Sequence, residues 1–140
     1  MSVFVDSSAF VALLADDDRN HQPAWAIWGS MISSDEFIWT SNYVVSETIA
    51  VLQRRIGMQA VRELVRGLLV AVEVDWVSPE AHHRGVSTLI ALGRRELSLV
   101  DCVSFELMRE RGIEKVFAFD PHFAEQGFEC LPAGQGGAAG

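Results

Sequence analysis

Two hydrophobic periodicities alternate along the chain. Short runs rich in Val, Ile and Phe predict strands at 2–6, 37–41, 72–77 and 115–119, with a fifth, edge strand at 128–132. Between these runs, apolar residues recur every three or four positions and predict helices at 7–15, 21–32, 42–56, 58–69, 78–95 and 97–112. Strands that alternate with helices are typical of a parallel sheet covered on both faces. The pattern therefore predicts an α/β fold, a three-layer α/β/α sandwich around a central parallel sheet of four to five strands.

Size and composition are those of one globular domain. The chain has 140 residues, of which 49% are hydrophobic and 21% charged, and we expect a single domain at 1–132 followed by a flexible Gly/Ala-rich tail at 133–140. No apolar run reaches the roughly 18 residues that span a bilayer, and the N-terminus lacks the basic lead of a signal peptide. We therefore expect a cytoplasmic protein without a membrane segment. Two cysteines, Cys102 and Cys130, are too few for a disulfide framework and are expected as buried free thiols.

The charge balance argues against one mode of nucleic-acid binding. The formal net charge is −8, which argues against a surface that binds nucleic acid by bulk electrostatics. Two other interpretations stay open: a cluster of acids that holds cations, or a basic protein partner.

Four acids lie in apolar surroundings at one predicted edge of the sheet. Asp6 and Asp120 follow the first and fourth predicted strands, and Glu47 and Asp101 lie among apolar residues early in two predicted helices. Taken singly, each has a structural explanation as a turn, cap or core-rim residue. Together they would repel one another unless a cation lay between them, and carboxylate oxygens are the ligands that Mg²⁺ or Mn²⁺ prefers. The pattern therefore predicts a metal site.

Four stretches around these acids resemble the PIN-domain ribonucleases, and most nearly the VapC toxins of bacterial toxin–antitoxin pairs. They are FVDSSAFVALL, SNYVVSETIAVL, LSLVDCVSFELMRERGI and VFAFDPHFAEQGFECL, and the resemblance covers about residues 2 to 132. The order Asp, Glu, Asp, Asp carries its specificity, with gaps of 41, 54 and 19 residues (6 to 47, 47 to 101 and 101 to 120). The resemblance implies a PIN-like fold and a metal-dependent endoribonuclease that uses Mg²⁺, with Mn²⁺ as an alternative.

Residue by residue, the resemblance implies roles for six side chains. Asp6 and Asp101 match direct metal ligands, Glu47 a ligand bound directly or through water, and Asp120 the fourth acid. Two hydroxyl groups match positions that brace the carboxylates or the substrate phosphate, those of Ser8 and Ser104. The resemblance has one departure, because Ala118 stands where family members often carry Thr or Ser. It also implies an RNA substrate, a VapB-like antitoxin and a homodimer.

Three rival functions make different demands on the sequence. An α/β phosphatase with an Asp nucleophile would carry a second Asp two residues after Asp6, where this chain has Ser8. A receiver-type signalling domain would carry a Lys at the end of its last strand, whereas Lys115 begins the fourth predicted strand. A catalytically silent PIN module that only binds RNA or protein stays open as the alternative, although the complete set of acids argues against it.

Overall fold

The structure of the protein is a computed structural model that describes residues 1–133. The predicted division into a domain at 1–132 and a tail at 133–140 stays a prediction, because the tail beyond Ala133 lies outside the described residues. In chain order the elements are β1 (Ser2–Val5), α1 (Ser7–Leu14), α2 (His21–Ser33), β2 (Phe37–Ser41), α3 (Asn42–Arg55), α4 (Met58–Arg66), a 3₁₀ turn (Leu68–Ala71), β3 (Glu73–Asp75), α5 (Pro79–Leu92), α6 (Leu99–Arg111), β4 (Lys115–Phe117), α7 (His122–Glu125) and β5 (Glu129–Leu131).

All five strands pair in parallel, in the order β3-β2-β1-β4-β5. The central strand β1 contributes Val3, Phe4 and Val5, which are fully buried, as expected for a strand covered on both faces. Helices α1 to α4 pack against one another, and α5 packs mainly on α6. The predicted three-layer α/β/α sandwich with a parallel sheet is confirmed, including the edge position of the fifth strand.

Helix caps gather at the carboxyl edge of this sheet. Asp6, Ser41 and Ser98 each accept a hydrogen bond from a backbone N–H in the first turn of α1, α3 and α6, respectively. Because α1 and α3 start directly after β1 and β2, their N-termini lie at the edge where the parallel strands end. The N-terminal turns of these helices therefore surround the same point, which favours negative charge there.

The packing of α5 on α6 depends on Gly85. A Cβ atom at this position would lie 2.4 Å from Val103 Cγ2 and 3.2 Å from Val103 Cα. The two helices approach so closely only because residue 85 has no side chain. This contact joins the middle of α5 to the second turn of α6, and an ion pair between Arg84 and Glu110 at 2.9 Å joins the first half of α5 to the last turn of α6.

Several element boundaries differ from the prediction by one to three residues. The strand predicted at 115–119 ends at Phe117. Ala118 N still donates to Leu131 O of β5, whereas Phe119 leaves the sheet and its N–H donates to Ser8 Oγ. The helix predicted at 58–69 ends at Arg66, where Gly67 introduces the 3₁₀ turn. The short helix α7 was not predicted, because four residues carry no readable period.

Cys102 and Cys130 are buried free thiols, as expected. None of the helices within residues 1–133 combines the length and the apolar composition that a membrane crossing requires.

Candidate active site at the carboxyl edge of the sheet

Asp6 lies at the centre of the carboxyl edge and is almost completely buried, with 2% of its surface exposed. It caps α1 through Oδ2, which accepts hydrogen bonds from Ser8 N at 3.1 Å and Ser8 Oγ at 2.6 Å. The other oxygen, Oδ1, is buried and has no hydrogen-bond partner within residues 1–133. Burial raises the pKa of Asp6 from 3.8 to about 7, an effect that the Ser8 hydroxyl opposes and the Asp101 and Asp120 carboxylates reinforce.

Ser8 connects Asp6 to the loop that carries the fourth acid. Its hydroxyl donates to Asp6 Oδ2 and accepts a hydrogen bond from Phe119 N at 2.9 Å. Residue 118, where family members often carry a hydroxyl, is a fully buried alanine. In this chain the hydroxyl group near Asp120 is therefore that of Ser8, which accepts a hydrogen bond from the backbone N–H of the preceding residue, Phe119.

Asp101 is held by the start of its own helix. Its Oδ2 accepts from Ser98 N at 3.1 Å, and its own N–H donates to Ser98 Oγ at 3.0 Å, which is the reciprocal pairing of a capping box. The pKa of Asp101 is raised, chiefly by burial, with contributions from the Asp120 and Glu47 carboxylates. These influences show that three of the predicted acids lie within electrostatic range of one another.

Glu47 reaches the site from the second turn of α3. The Ser7 hydroxyl donates to Glu47 Oε1 across the contact between α1 and α3. The side chain is half-buried, whereas Val44 and Thr48, its neighbours on the helix, are buried. Glu47 therefore lies at the rim of the core, close enough to Asp101 to raise the pKa of that carboxyl, and its role as a metal ligand stays a prediction.

Asp120 lies in the loop after β4, and α7 fixes its orientation. Its Oδ1 accepts from His122 N at 2.9 Å. The His122 ring lies between Asp120 and Glu125, at 3.8 Å and 3.4 Å from their carboxylate oxygens. Glu125 also pairs at 2.8 Å with Arg94, which is in turn paired with Glu96. This chain of charges fastens the α5–α6 loop to α7 beside the fourth acid.

All four carboxylates share one arrangement. In each carboxylate, one oxygen accepts a hydrogen bond from a nearby Ser hydroxyl or backbone N–H. For the second oxygen, residues 1–133 provide no hydrogen-bond donor. The oxygens that accept hydrogen bonds are Asp6 Oδ2, Glu47 Oε1, Asp101 Oδ2 and Asp120 Oδ1. Four partly buried, mutually repelling carboxylates are the donor set that a hard divalent cation requires. The residues therefore fit Mg²⁺ or Mn²⁺ in chemistry, and the buried oxygen of Asp6 that lacks a partner is the clearest sign of it.

The four acids of residues 1–133 are nevertheless not arranged as a complete metal site. Within residues 1–133, no group of three or more Asp, Glu, His or Cys side chains is arranged to hold a metal ion. The four acids are close enough to shift one another's pKa values but do not converge on one point. Ligation by more than two of them requires side-chain rotation.

Two serines behave differently from each other. Ser8 braces a carboxylate, whereas the buried Ser104 donates its hydroxyl to Val100 O in its own helix at 2.8 Å, so the bracing role of Ser104 stays a prediction. The sequence reading missed Ser7, which holds Glu47, and Ser98, which holds Asp101. A signal for Ser98 was present, since Ser followed three residues later by an acid marks a capping box.

The chain is similar to a known domain family, to curated proteins and to a solved structure. Residues 3–129 match the family model of the PIN domain. Two curated relatives, both described as "23S rRNA-specific endonuclease VapC20" and from Mycobacterium tuberculosis strains CDC 1551 and H37Rv, are each 35% identical over 127 residues, covering 90% of this chain and 95% of theirs. The crystal structure of M. tuberculosis VapC20, described as a sarcin–ricin loop cleaving toxin, superimposes with a TM-score of 0.82 and covers 91% of this chain and 96% of that one.

The family match extends over nearly all of the described chain, and the structural match shows the same parallel α/β architecture. The family match, over residues 3–129, includes the segments that carry the four acids. This chain therefore belongs to the PIN domain family.

Proposed function

We propose that this protein is a metal-dependent endoribonuclease and the toxin of a toxin–antitoxin pair. The observation that carries the proposal is the set of four carboxylates at one sheet edge, each with one oxygen held by the protein and the other left without a protein donor. The names of the relatives, which are 23S rRNA-specific endonucleases at 35% identity, support the same activity.

Asp6 and Asp101 are the residues that would hold a Mg²⁺ or Mn²⁺ ion directly, because they are the two most buried acids of the site. Glu47 would bind directly or through water, and Asp120 would complete the site or support a second ion. When bound, the cation would make a water molecule easier to ionise and offset the charge that develops on the phosphate.

The chain's own residues prepare the carboxylates for this role. Ser7, Ser8 and Ser98 fix one oxygen of three acids, so that the remaining oxygens lose little rotational freedom on binding. The raised pKa of Asp6 means that part of the protein carries a proton there at neutral pH, and ligand binding must release it. Because a bound cation would make water easier to ionise, hydrolysis would require no His or Lys base. It transfers a water oxygen to phosphorus and expels one ester oxygen without a protein nucleophile.

The substrate we propose is an RNA of defined shape with unpaired bases at the cleavage point. A net charge of −8 gives no general attraction to a phosphate backbone, and sequence-specific proteins usually read RNA at loops and bulges. The relative's description as a sarcin–ricin loop cleaving toxin makes an rRNA hairpin the first substrate to examine.

We propose two protein partners and a cytoplasmic location. A VapB-like antitoxin that inserts a basic side chain would complement the acidic edge, and a homodimer is expected from the family. The two buried free thiols suit a reducing compartment. Co-purification with a co-expressed VapB-like antitoxin and the molecular mass in solution test these two partners.

The alternative is a silent PIN module that binds RNA or protein without cutting it. The absence, within residues 1–133, of a ready-made three-ligand arrangement favours this alternative. The two functions differ in what a divalent cation does: it is required for cleavage by an enzyme and irrelevant to a binding module.

The deciding experiment is an RNA cleavage assay with intact ribosomes and a synthetic sarcin–ricin hairpin, in Mg²⁺, in Mn²⁺ and with a chelator. We expect metal-dependent cuts by the wild type, none by Asp101→Asn, and wild-type activity in Asp16→Asn, which removes an acid whose side chain is 98% exposed. Cleavage by Asp101→Asn at the wild-type rate would show that the site is assigned wrongly. Metal-independent RNA binding without cleavage would support the silent module.

A further inference from the structure

Tyr43, His82 and His83 form a continuous cluster of rings on the surface. The Tyr43 hydroxyl and His82 Nδ1 are hydrogen-bonded, and their rings meet edge-on with centroids 6.0 Å apart. The His82 and His83 rings meet in the same way at 5.4 Å and 78°. Exposure increases along the cluster, from half-buried Tyr43 and His82 to exposed His83.

Two independent contacts place this cluster beside the acids. Tyr43 lies one helical turn before Glu47 on α3, and residues four apart share a helix face. On the other side, Val77 N donates to Asn42 Oδ1 at 2.7 Å, so the start of α5, which carries both histidines in its first two turns, lies beside the start of α3 at the carboxyl edge of the sheet. The cluster therefore borders the acidic site on its β2–β3 side.

The hydrogen bonds within the cluster do not explain His83. Tyr43 and His82 satisfy each other and together tie α3 to α5. His83 has no hydrogen-bond partner within residues 1–133, and its ring is exposed to solvent. An exposed ring held at a fixed angle by a second ring adds nothing to the core, yet it presents a flat surface next to the candidate active site.

Electrostatics alone leaves the site without a means of holding RNA. The net charge is −8, and Arg94, whose partner Glu125 also lies near the His122 ring beside Asp120, is engaged by Glu96 and Glu125. Stacking of a base on an aromatic or imidazole ring does not need net positive charge. It is the form of binding that an acidic nuclease still has available.

We propose that the Tyr43–His82–His83 cluster is a stacking platform for an unpaired RNA base next to the scissile phosphate, an inference that rests on the proposed ribonuclease function. His83 supplies the exposed stacking face. Tyr43 and His82 are positioning residues, since they fix the angle of the His83 ring and its place beside the helix that carries Glu47.

The test uses the full-length protein and a fluorescein-labelled synthetic sarcin–ricin RNA hairpin. Cleavage kinetics are measured in Mg²⁺, and binding is measured by anisotropy in the cleavage-impaired Asp101→Asn background. The variants are His83→Ala, Tyr43→Phe, which keeps the ring and removes the bond to His82, and the control Phe37→Ala. Phe37 is also an exposed ring, 57% accessible, but it begins β2 at the opposite edge of the sheet.

We expect His83→Ala to weaken hairpin binding and raise KM by about tenfold, within the range measured for loss of one base-stacking ring, with kcat changed by less than about twofold. Tyr43→Phe should give a smaller increase in KM, and Phe37→Ala none. Because stacking is insensitive to salt, the His83→Ala defect should be equal at about 50 mM and about 250 mM KCl.

Three outcomes overturn the inference. If His83→Ala binds and cuts the hairpin like the wild type while folding normally, the cluster does not contact RNA. If its defect disappears at high salt, His83 acts as a cation on a phosphate and not as a stacking ring. If the wild type neither binds nor cuts RNA, the proposed function itself fails, and the stacking inference fails with it.

Discussion

The buried Asp6 carboxylate makes the metal-free protein sensitive to pH in an unusual direction. Its pKa is raised from 3.8 to about 7, chiefly by burial. The folded protein therefore retains a proton that the unfolded chain releases. Stability from this group is fully present below about pH 4 and is lost as the pH rises through about 7.

The magnitude follows from the size of the shift. The pKa rises by about 3, which means that folding favours the protonated over the ionised form of Asp6 by about 4 kcal/mol. Between about pH 5 and about pH 8, we expect the free energy of unfolding to fall by about 3 kcal/mol, or about 10 °C in Tm. Asp101, whose pKa is also raised, adds to the fall.

The assay is urea unfolding of chelator-treated protein across this pH range, for wild type, Asp6→Asn and the exposed control Asp16→Asn. Asp6→Asn should be the more stable protein at about pH 8 and should lose most of the pH dependence, whereas Asp16→Asn should retain it. Added Mg²⁺ should raise the stability of the wild type most at high pH, where the carboxylate is ionised. A stability that is flat with pH in the metal-free wild type would refute the reasoning.

Three further predictions concern the groups that position the site. Ser8→Ala leaves Phe119 N and Asp6 Oδ2 without their hydroxyl partner and should lower the free energy of unfolding by about 1–3 kcal/mol together with activity; urea unfolding and RNA cleavage measure both, and an unchanged protein would show that water replaces the hydroxyl. Gly85→Ala should cost at least about 1–3 kcal/mol because its Cβ would lie 2.4 Å from Val103 Cγ2, whereas Gly29→Ala, with open space around the new methyl group, should be neutral or slightly stabilising; equal Tm values for the two variants would contradict the close helix contact. Phe123→Ala removes a fully buried ring and should cost about 3–5 kcal/mol in the same urea assay; a loss below about 1 kcal/mol would mean that α7 does not pack on the core as described.

The fold was readable from the sequence because its two periodicities alternate without interruption. The weakest point was the end of β4, where the apolar run continues through Ala118 and Phe119 although the strand ends at Phe117 and the backbone N–H of Phe119 bonds to a side chain. Hydrophobicity reports burial and not hydrogen-bond pairing, so both residues read as strand. The helix α7 was missed for the opposite reason, since its one turn is too short to show a period.

The acids of the candidate site were also readable, because a carboxylate among apolar residues is costly and therefore conspicuous. The groups that hold them were harder to find. Ser7 contacts Glu47 across 40 positions of sequence, and no local pattern indicates such a contact. The sequence also could not show that the carboxylates stop short of a closed ligand arrangement, which depends on side-chain torsions.

The capping box at the start of α6 affects how related sequences should be judged. Asp101 holds the first turn of its helix through Ser98 whether or not RNA is cut. A relative that has lost hydrolysis still gains a stable helix from an aspartate at this position. Retention of that acid is therefore a poor marker of a working nuclease. Glu47 contributes no cap to its own helix. It is the more informative position for separating active toxins from inactive copies in a genome.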